Sequence, residues 1–209
     1  MTPSSGSRCK ALVPLANALH FPRGGGLPFY CDAHQEEILA QKPMLTVPFR
    51  AFIPQSLELR TQVVLRHLMR KTMSDFDGPG YIYALELIGN AHPDLIRIKL
   101  GRTNDVARRL WEHRRCCPSS HQVLLGQTGL VPYCDRLERL IHVELTDRAA
   151  QSNPAGRTAP RTRCTDCYSV HTEIFTLRRL HGRNYGSEWH LIVRPIVQKW
   201  AHFVSLHVI

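Results

Sequence analysis

The run Asp77-Gly78-Pro79-Gly80 constrains this chain most, because Gly and Pro in succession force a turn and so separate the segments on its two sides. Behind it, Tyr81 to Leu87 alternates aromatic and branched residues with the period of two that a strand requires. A loop of Gly89-Asn90-Ala91-His92-Pro93 leads to Ile96 to Leu100, a second strand expected to pair antiparallel with the first. Asn104 or Asp105 then caps a helix from Val106 to about Cys116, ended by Pro118. Two short strands feeding a helix place the chain in the α/β (α+β) class.

The rest of the chain extends that pattern. Val123-Leu124-Leu125-Gly126 reads as a third strand, and Asp135 as the cap of a helix to about Leu145. Residues 147–163 carry Pro154, Gly156 and Pro160 and read as a long basic loop, with Arg148, Arg157, Arg161 and Arg163. His171 to Phe175 is strand-like, but the expected sheet is three-stranded and mainly antiparallel, flanked by helices. Ser187 is expected to cap a C-terminal helix over residues 187–205, kinked or divided at Pro195. Its Trp189 and Trp200, eleven residues apart, return to one face and should pack on the domain. The expected organisation is thus an N-terminal region (1–76), a domain over 78–180 and the C-terminal helix. The first thirty or so residues are rich in Ser, Gly and Pro and should be largely disordered, and a helix near 56–71 comes next with Ser56 as its cap.

Charge narrows the function. Lys and Arg number 27 against 17 Asp and Glu, a net +10, and a balance of that sign favours a polyanionic partner. Half of the excess lies in one stretch, where Arg97, Lys99, Arg102, Arg108, Arg109, Arg114 and Arg115 face only Asp105 and Glu112. A patch is therefore expected, with Lys99, Arg102, Arg108, Arg114 and Arg115 as DNA-contacting candidates. No apolar run approaches the length of a membrane span, and Pro14, Asn17 and His20 interrupt the one segment resembling a leader. An intracellular and, given the partner, nuclear location is expected.

Seven cysteines, an odd number without a secretory leader, argue for a reducing compartment and against a disulfide scaffold. Cys164-x2-Cys167 places two thiols on one turn, and His171 comes soon after. With His142 these make a Cys2His2 set for structural zinc, which takes four tetrahedral ligands. Cys134 and Cys116 are alternative fourth ligands, and the Cys116-Cys117 pair reads as structural or incidental.

Phosphodiester hydrolysis needs a divalent cation on the phosphate, a base for the attacking water and a cation beside the transition state. The sequence supplies such parts in Tyr83 on the first strand, Arg109 and His113 one helical turn apart, and Glu138 early on the second helix. Their order resembles the GIY-YIG nuclease superfamily. Gly80-Tyr81-Ile82-Tyr83 stands at its first signature, Lys99-Leu100-Gly101 at its second, and Gly101, Arg109 and His113 match the family's Gly-x7-Arg-x3-His spacing. More closely, Lys99-Leu100-Gly101-Arg102-Thr103, Glu138-Arg139-Leu140-Ile141-His142 and His171-Thr172-Glu173-Ile174-Phe175 look like the branch named after a phage T-five DNA-binding protein and common in fungi. The resemblance covers roughly residues 78 to 180. It implies a DNA-binding domain or metal-dependent endonuclease. Glu138 would hold Mg²⁺ or Mn²⁺, with Glu173 as the other candidate, Tyr83 or His113 would take the water proton, and Arg109 would meet the phosphate. One departure is that Lys99 stands where the second signature normally has Tyr, and a lysine cannot act as a phenol. A non-catalytic DNA-binding module and a protein-interaction domain using the C-terminal helix are the alternative readings.

Overall fold

A computed structural model describes residues 47–72, 74–88, 93–152, 163–180 and 186–207. The chain divides into two compact units, Met1–Arg70 and Lys71–Ile209. The expected disorder of the first thirty residues, and much of the basic loop, lie outside the described residues.

The described part of the first unit holds a one-turn helix α1 (Val47–Arg50) and α2 (Leu59–Arg70). Val63, Leu65, Leu68 and Met69 are buried on α2, and its first turn opens after a turn in which the Leu57 amide bonds to Pro54 O. Ser56 therefore lies before the helix rather than at its cap, because Pro54 starts a turn there first.

The second unit is built on one sheet of four strands: β1 (Tyr81–Ile88), β2 (Leu95–Thr103), β3 (His121–Gln127) and β4 (Ile174–Arg178). The order is β3-β1-β2-β4, and every neighbouring pair is antiparallel. The three-stranded expectation is corrected by β4, which pairs with β2 from Leu95↔Arg178 to Lys99↔Ile174. Its five residues bury only Phe175 and Leu177, a signal too short for periodicity to register as a ladder. β1 is the opposite case: it is buried almost without interruption, as a central strand covered on both faces should be.

Three helices complete the unit: α3 (Val106–Cys116), α4 (Cys134–Ser152) and α5 (Arg194–His207). Asp105 is the cap of α3, its side chain accepting from the Arg108 amide at 2.9 Å. For α4 the expected Asp135 cap is replaced by Asp77, whose two carboxylate oxygens accept from the amides of Asp135 and Arg136, each at 2.8 Å. A carboxylate at a helix N-terminus satisfies orphan N–H groups and meets the positive end of the dipole. Asp77, four residues before β1, thus also starts α4. That helix continues past Leu145 to Ser152, so the expected loop at residue 147 begins later.

α4 lies over β1, β2 and β4, and α5 packs on α4. The fully buried Glu144 joins the two helices: it accepts from Trp200 Nε1 at 2.7 Å, pairs with Lys199 and is bonded by Arg148 at 2.9 Å. Trp200, Phe203 and Val197 bury the face of α5 that carries them. Ahead of α5, Trp189–Val193 winds as a π-helix, with Arg194 N–H bonding five residues back to Trp189 O. Pro195 can donate no hydrogen bond, and a wider turn before it avoids the clash its ring would make in a regular helix. The divided helix expected at Pro195 takes this form. Trp189 lies against Gly126, where a Cβ would come within 2.3 Å of the indole.

Candidate functional site

Tyr83 and Gly101 are direct partners across β1 and β2, and so is Leu85 with Lys99. Residues opposed in an antiparallel pair share a face, so Tyr83, Gly101 and Lys99 line one face of the sheet. A Cβ at Gly101 would stand 2.6 Å from the Tyr83 hydroxyl oxygen. Gly101 is thus the space into which the phenol ring lies, which gives the glycine of the Lys99-Leu100-Gly101 run a steric reason.

α3 brings the next two groups. Arg109 and His113 are one turn apart, and both reach the Tyr83 hydroxyl. Tyr83 Oη lies 2.7 Å from His113 Nε2, and Arg109 Nε donates to it at 3.4 Å. Arg109 also pairs with Glu112 at 3.0 Å and keeps part of its guanidinium exposed, whereas Tyr83 and His113 are buried. Burial pushes the Tyr83 hydroxyl up from its ordinary value, against the donor and charge of Arg109 and with the help of Glu138 and Glu173. His113 is pulled down to about 4, first by burial and then by the charges of Lys99 and Arg109. It is neutral at physiological pH.

Lys99 stands apart from the other expected DNA contacts. Its side chain is 6% exposed; Nζ lies 3.1 Å from Glu173 Oε1 and 3.5 Å from His113 Nδ1. A buried ammonium held by a carboxylate and an imidazole is not a group that reaches out to a strand. Glu173 is equally engaged, its other oxygen accepting from the Thr172 amide at 2.9 Å. Although burial raises its carboxyl, Lys99 holds it below the ordinary range. That leaves little of Glu173 to hold a cation.

Glu138 is differently placed. Arg102 Nε bonds its carboxylate at 3.0 Å, and the same guanidinium pairs with Asp135 at 3.0 Å, one turn earlier on α4. Burial and the Asp135 charge nevertheless lift the Glu138 carboxyl to about 7, with Arg102 opposing. Asp135, in sequence only a candidate cap, is thus a second carboxylate beside Glu138. Carboxylate oxygens suit a hard divalent cation, but Arg102 holds both of these carboxylates and Arg139 also pairs with Asp135 at 2.8 Å, so a cation would have to displace Arg102. Of the remaining basic candidates, Arg108 is exposed and bonds Glu112 and Asn104, Arg114 is exposed, and the exposed Arg115 lies 5.2 Å above the Trp111 ring.

The cysteines form a second centre. Cys117, Cys164, Cys167 and His171 converge, their ligand atoms all within 4.8 Å of one another. Cys117 Sγ is 3.7 Å from Cys167 Sγ and 3.8 Å from Cys164 Sγ, while His171 Nε2 is 3.5 Å from Cys117 Sγ and 3.4 Å from Cys167 Sγ. A zinc tetrahedron with Zn–S near 2.3 Å and Zn–N near 2.0 Å has edges of about 3.8 Å and 3.5 Å. These edges match, so the cluster can hold a metal such as zinc. Backbone amides prepare two of the thiols. Cys167 is drawn down to about 7, chiefly by the Ser169 amide, and Cys164 is lowered by the amides of Cys167 and Asp166. Burial and the neighbouring thiols push Cys117 up, a burden a bound cation would remove. Tyr168, at φ 54°, makes the left-handed step that closes the turn.

The structure thus brings Cys164, Cys167 and His171 together as expected and takes Cys117, not His142, as the fourth group. His142 points elsewhere: its Nε2 is 3.1 Å from Leu100 O, and its ring meets Phe175 edge-on. It is a buried packing residue between α4 and the sheet. Cys134 bonds Tyr81 O, and Cys116 is exposed. Cys117 is hidden in a pair that looks incidental because its distance in sequence, 47 residues from Cys164, matches no short motif. Its neighbour Ser119 bonds Asp166 from both its amide and its hydroxyl, tying the end of α3 to the Cys-x2-Cys turn.

A family model described as "Meiotically up-regulated gene 113" matches residues 95–203, just over half of the chain, from the first residue of β2 to near the end of α5. It spans the whole Cys3His cluster, with Arg109, His113 and Glu138, while Tyr83 precedes it. No curated protein and no solved structure matches.

Proposed function

The chain belongs to the Meiotically up-regulated gene 113 family, and from that premise we propose that its second unit is a DNA-interacting domain of the GIY-YIG type that hydrolyses phosphodiester bonds. The observation that carries the reading is the convergence of Arg109 and His113 on the Tyr83 hydroxyl above Gly101. The phenol, the imidazole and the part-exposed guanidinium thus meet on one oxygen at the edge of a basic helix, where a phosphate could reach Arg109.

In this reading the part-exposed guanidinium of Arg109 meets a phosphate and stabilises the charge that builds on it. The Tyr83–His113 pair supplies the group that takes a proton from water. Glu138, with Asp135 beside it, would hold the divalent cation, for which Arg102 would have to vacate the site. When bound, Mg²⁺ or Mn²⁺ there would polarise a phosphate oxygen. Arg102 then turns to the strand, and Arg108, Arg114 and Arg115 attract the backbone along α3. Zinc in the Cys3His cluster keeps α3, the Cys-x2-Cys turn and β4 together and takes no part in the reaction. A nuclear location goes with a DNA substrate.

A second reading has its own observation. Arg102 occupies the Glu138 carboxylate and Lys99 replaces a phenol, which favours a module that binds DNA and does not cut it. Incubating the full chain with plasmid DNA and Mg²⁺ or Mn²⁺ separates the two. Cleavage is expected, with Arg109→Ala lowering its rate on the order of 10²–10³-fold. Cleavage that is absent, or that survives both Arg109→Ala and Glu138→Ala, sinks the nuclease reading. DNA binding that does not weaken steeply with salt would remove both.

A further inference from the structure

An unbroken series of contacts joins the two centres. His171 offers Nε2 to the cysteine cluster and turns Nδ1 toward Glu173 Oε1, 3.9 Å away, an ion-pair separation rather than a hydrogen bond. The same Oε1 holds Lys99 Nζ at 3.1 Å, Lys99 lies 3.5 Å from His113 Nδ1, and His113 Nε2 lies 2.7 Å from Tyr83 Oη. We propose that Lys99, fixed by Glu173 against the metal-binding cluster, is a positioning residue that sets the tautomer of His113 and so makes His113 a hydrogen-bond donor to Tyr83.

The directions are fixed by which groups can donate. An ammonium carries three donors and no acceptor, and a neutral imidazole has one of each. Facing Lys99, His113 Nδ1 must therefore be the bare, accepting nitrogen, and the ring proton sits on Nε2. That proton points at Tyr83 Oη. The phenol oxygen then accepts from two donors, His113 Nε2–H and Arg109 Nε–H, which favour its ionised form although burial still raises the hydroxyl. Both nitrogens of His113 are engaged, so Tyr83 can act as the base only as its phenolate, after its own proton has passed to solvent.

The residue that departs from the GIY-YIG pattern thus acquires a task. Lys99 cannot replace a phenol at the phosphate, and at 6% side-chain exposure it is not offered to one. It can replace the pattern's control over its neighbours. Glu173 holds it from a place between the two centres, with Oε1 3.1 Å from Lys99 Nζ and 3.9 Å from His171 Nδ1.

Only the consequence for catalysis rests on the nuclease reading; the tautomer does not. The test is ¹⁵N NMR of the imidazoles in the zinc-loaded full chain, with His113 assigned by His113→Gln. In the wild type, Nε2 should resonate as the protonated nitrogen and Nδ1 as the bare one. Lys99→Met should release that preference and give both tautomers or the Nδ1–H form. Should the unpaired Glu173 unfold that variant, Lys99→Met with Glu173→Gln removes both charges and should give the same result. A proton on Nδ1 in the wild type, or an unchanged Nε2–H signal in the folded variants, overturns the proposal. In the cleavage assay Lys99→Met should lower the rate while leaving DNA affinity within about twofold, since a buried lysine releases few counterions. If the wild type cuts no DNA but the tautomer responds to Lys99, the nuclease reading fails and the positioning role stands.

Discussion

The two centres of the second unit use polar side chains to opposite ends. In the Cys3His cluster four ligand atoms lie within 4.8 Å of one another, the number that completes a tetrahedral shell around one zinc. Around Tyr83, the donors meet on one oxygen, while Arg109 keeps part of its guanidinium in solvent and Glu138 shares its carboxylate with Arg102. A filled coordination shell holds structure together, whereas an unfilled one can take a ligand. Glu173 lies between them, 3.1 Å from Lys99 Nζ and 3.9 Å from His171 Nδ1.

Removing the metal should break the comparison most severely. Chelation, or Cys167→Ser, is expected to destabilise the second unit by several kcal/mol, because metal binding energy there is folding energy. Thermal unfolding with and without chelator checks this, and zinc analysis should return one ion per chain. An unchanged melting temperature would show that the cluster is only a set of free thiols.

Gly101→Ala should act on the open centre alone. Its methyl would come within 2.6 Å of the Tyr83 oxygen, and overpacking of this sort costs about 1–3 kcal/mol. The displaced phenol should lose its bond to His113, so cleavage should fall by far more than stability does. Equal losses in the two would mean that Tyr83 is merely core.

A smaller effect should appear in the pH dependence. With its carboxyl lifted to about 7, Glu138 is protonated below that pH and available to a cation above it. Apparent Mg²⁺ affinity, measured through cleavage, should therefore decline about tenfold per unit as pH falls below 7, and level off above it. A profile that is flat down to the ordinary glutamate range would assign the cation elsewhere.

Much of the scaffold is legible in the sequence. The strands on either side of residues 89–93, the α3 cap and the Pro195 division all depend on local backbone chemistry, which neighbouring residues report, whereas the turn expected at residues 77–80 falls just before them, closed by the Asp77 amide on Ser74 O. β4 is legible as a strand, since the one read at His171 to Phe175 overlaps it, but its pairing with β2 is not, because five residues with two buried side chains carry too little period. Nor is the α4 cap: Asp77 lies 58 residues before Asp135, and no local rule links them. In the site, Tyr83, Gly101, Arg109 and His113 are legible as a group through the order in which they resemble the GIY-YIG pattern, and none of them is by itself. Lys99 looks like a phosphate contact, since charge in a sequence says nothing about burial. His142 takes the place of Cys117 in the expected ligand set for a related reason, closeness along the chain standing in for closeness in space.

By itself, then, the sequence determined most of the elements, the basic run along α3 and the Cys-x2-Cys-x3-His turn, and it grouped Tyr83, Gly101, Arg109 and His113 by their order. Which cysteine closes the cluster, and what Lys99 touches, only the tertiary structure decided. Ligand geometry and the pairing of a buried charge depend on distances between elements that the chain itself keeps far apart, and only folding sets those distances.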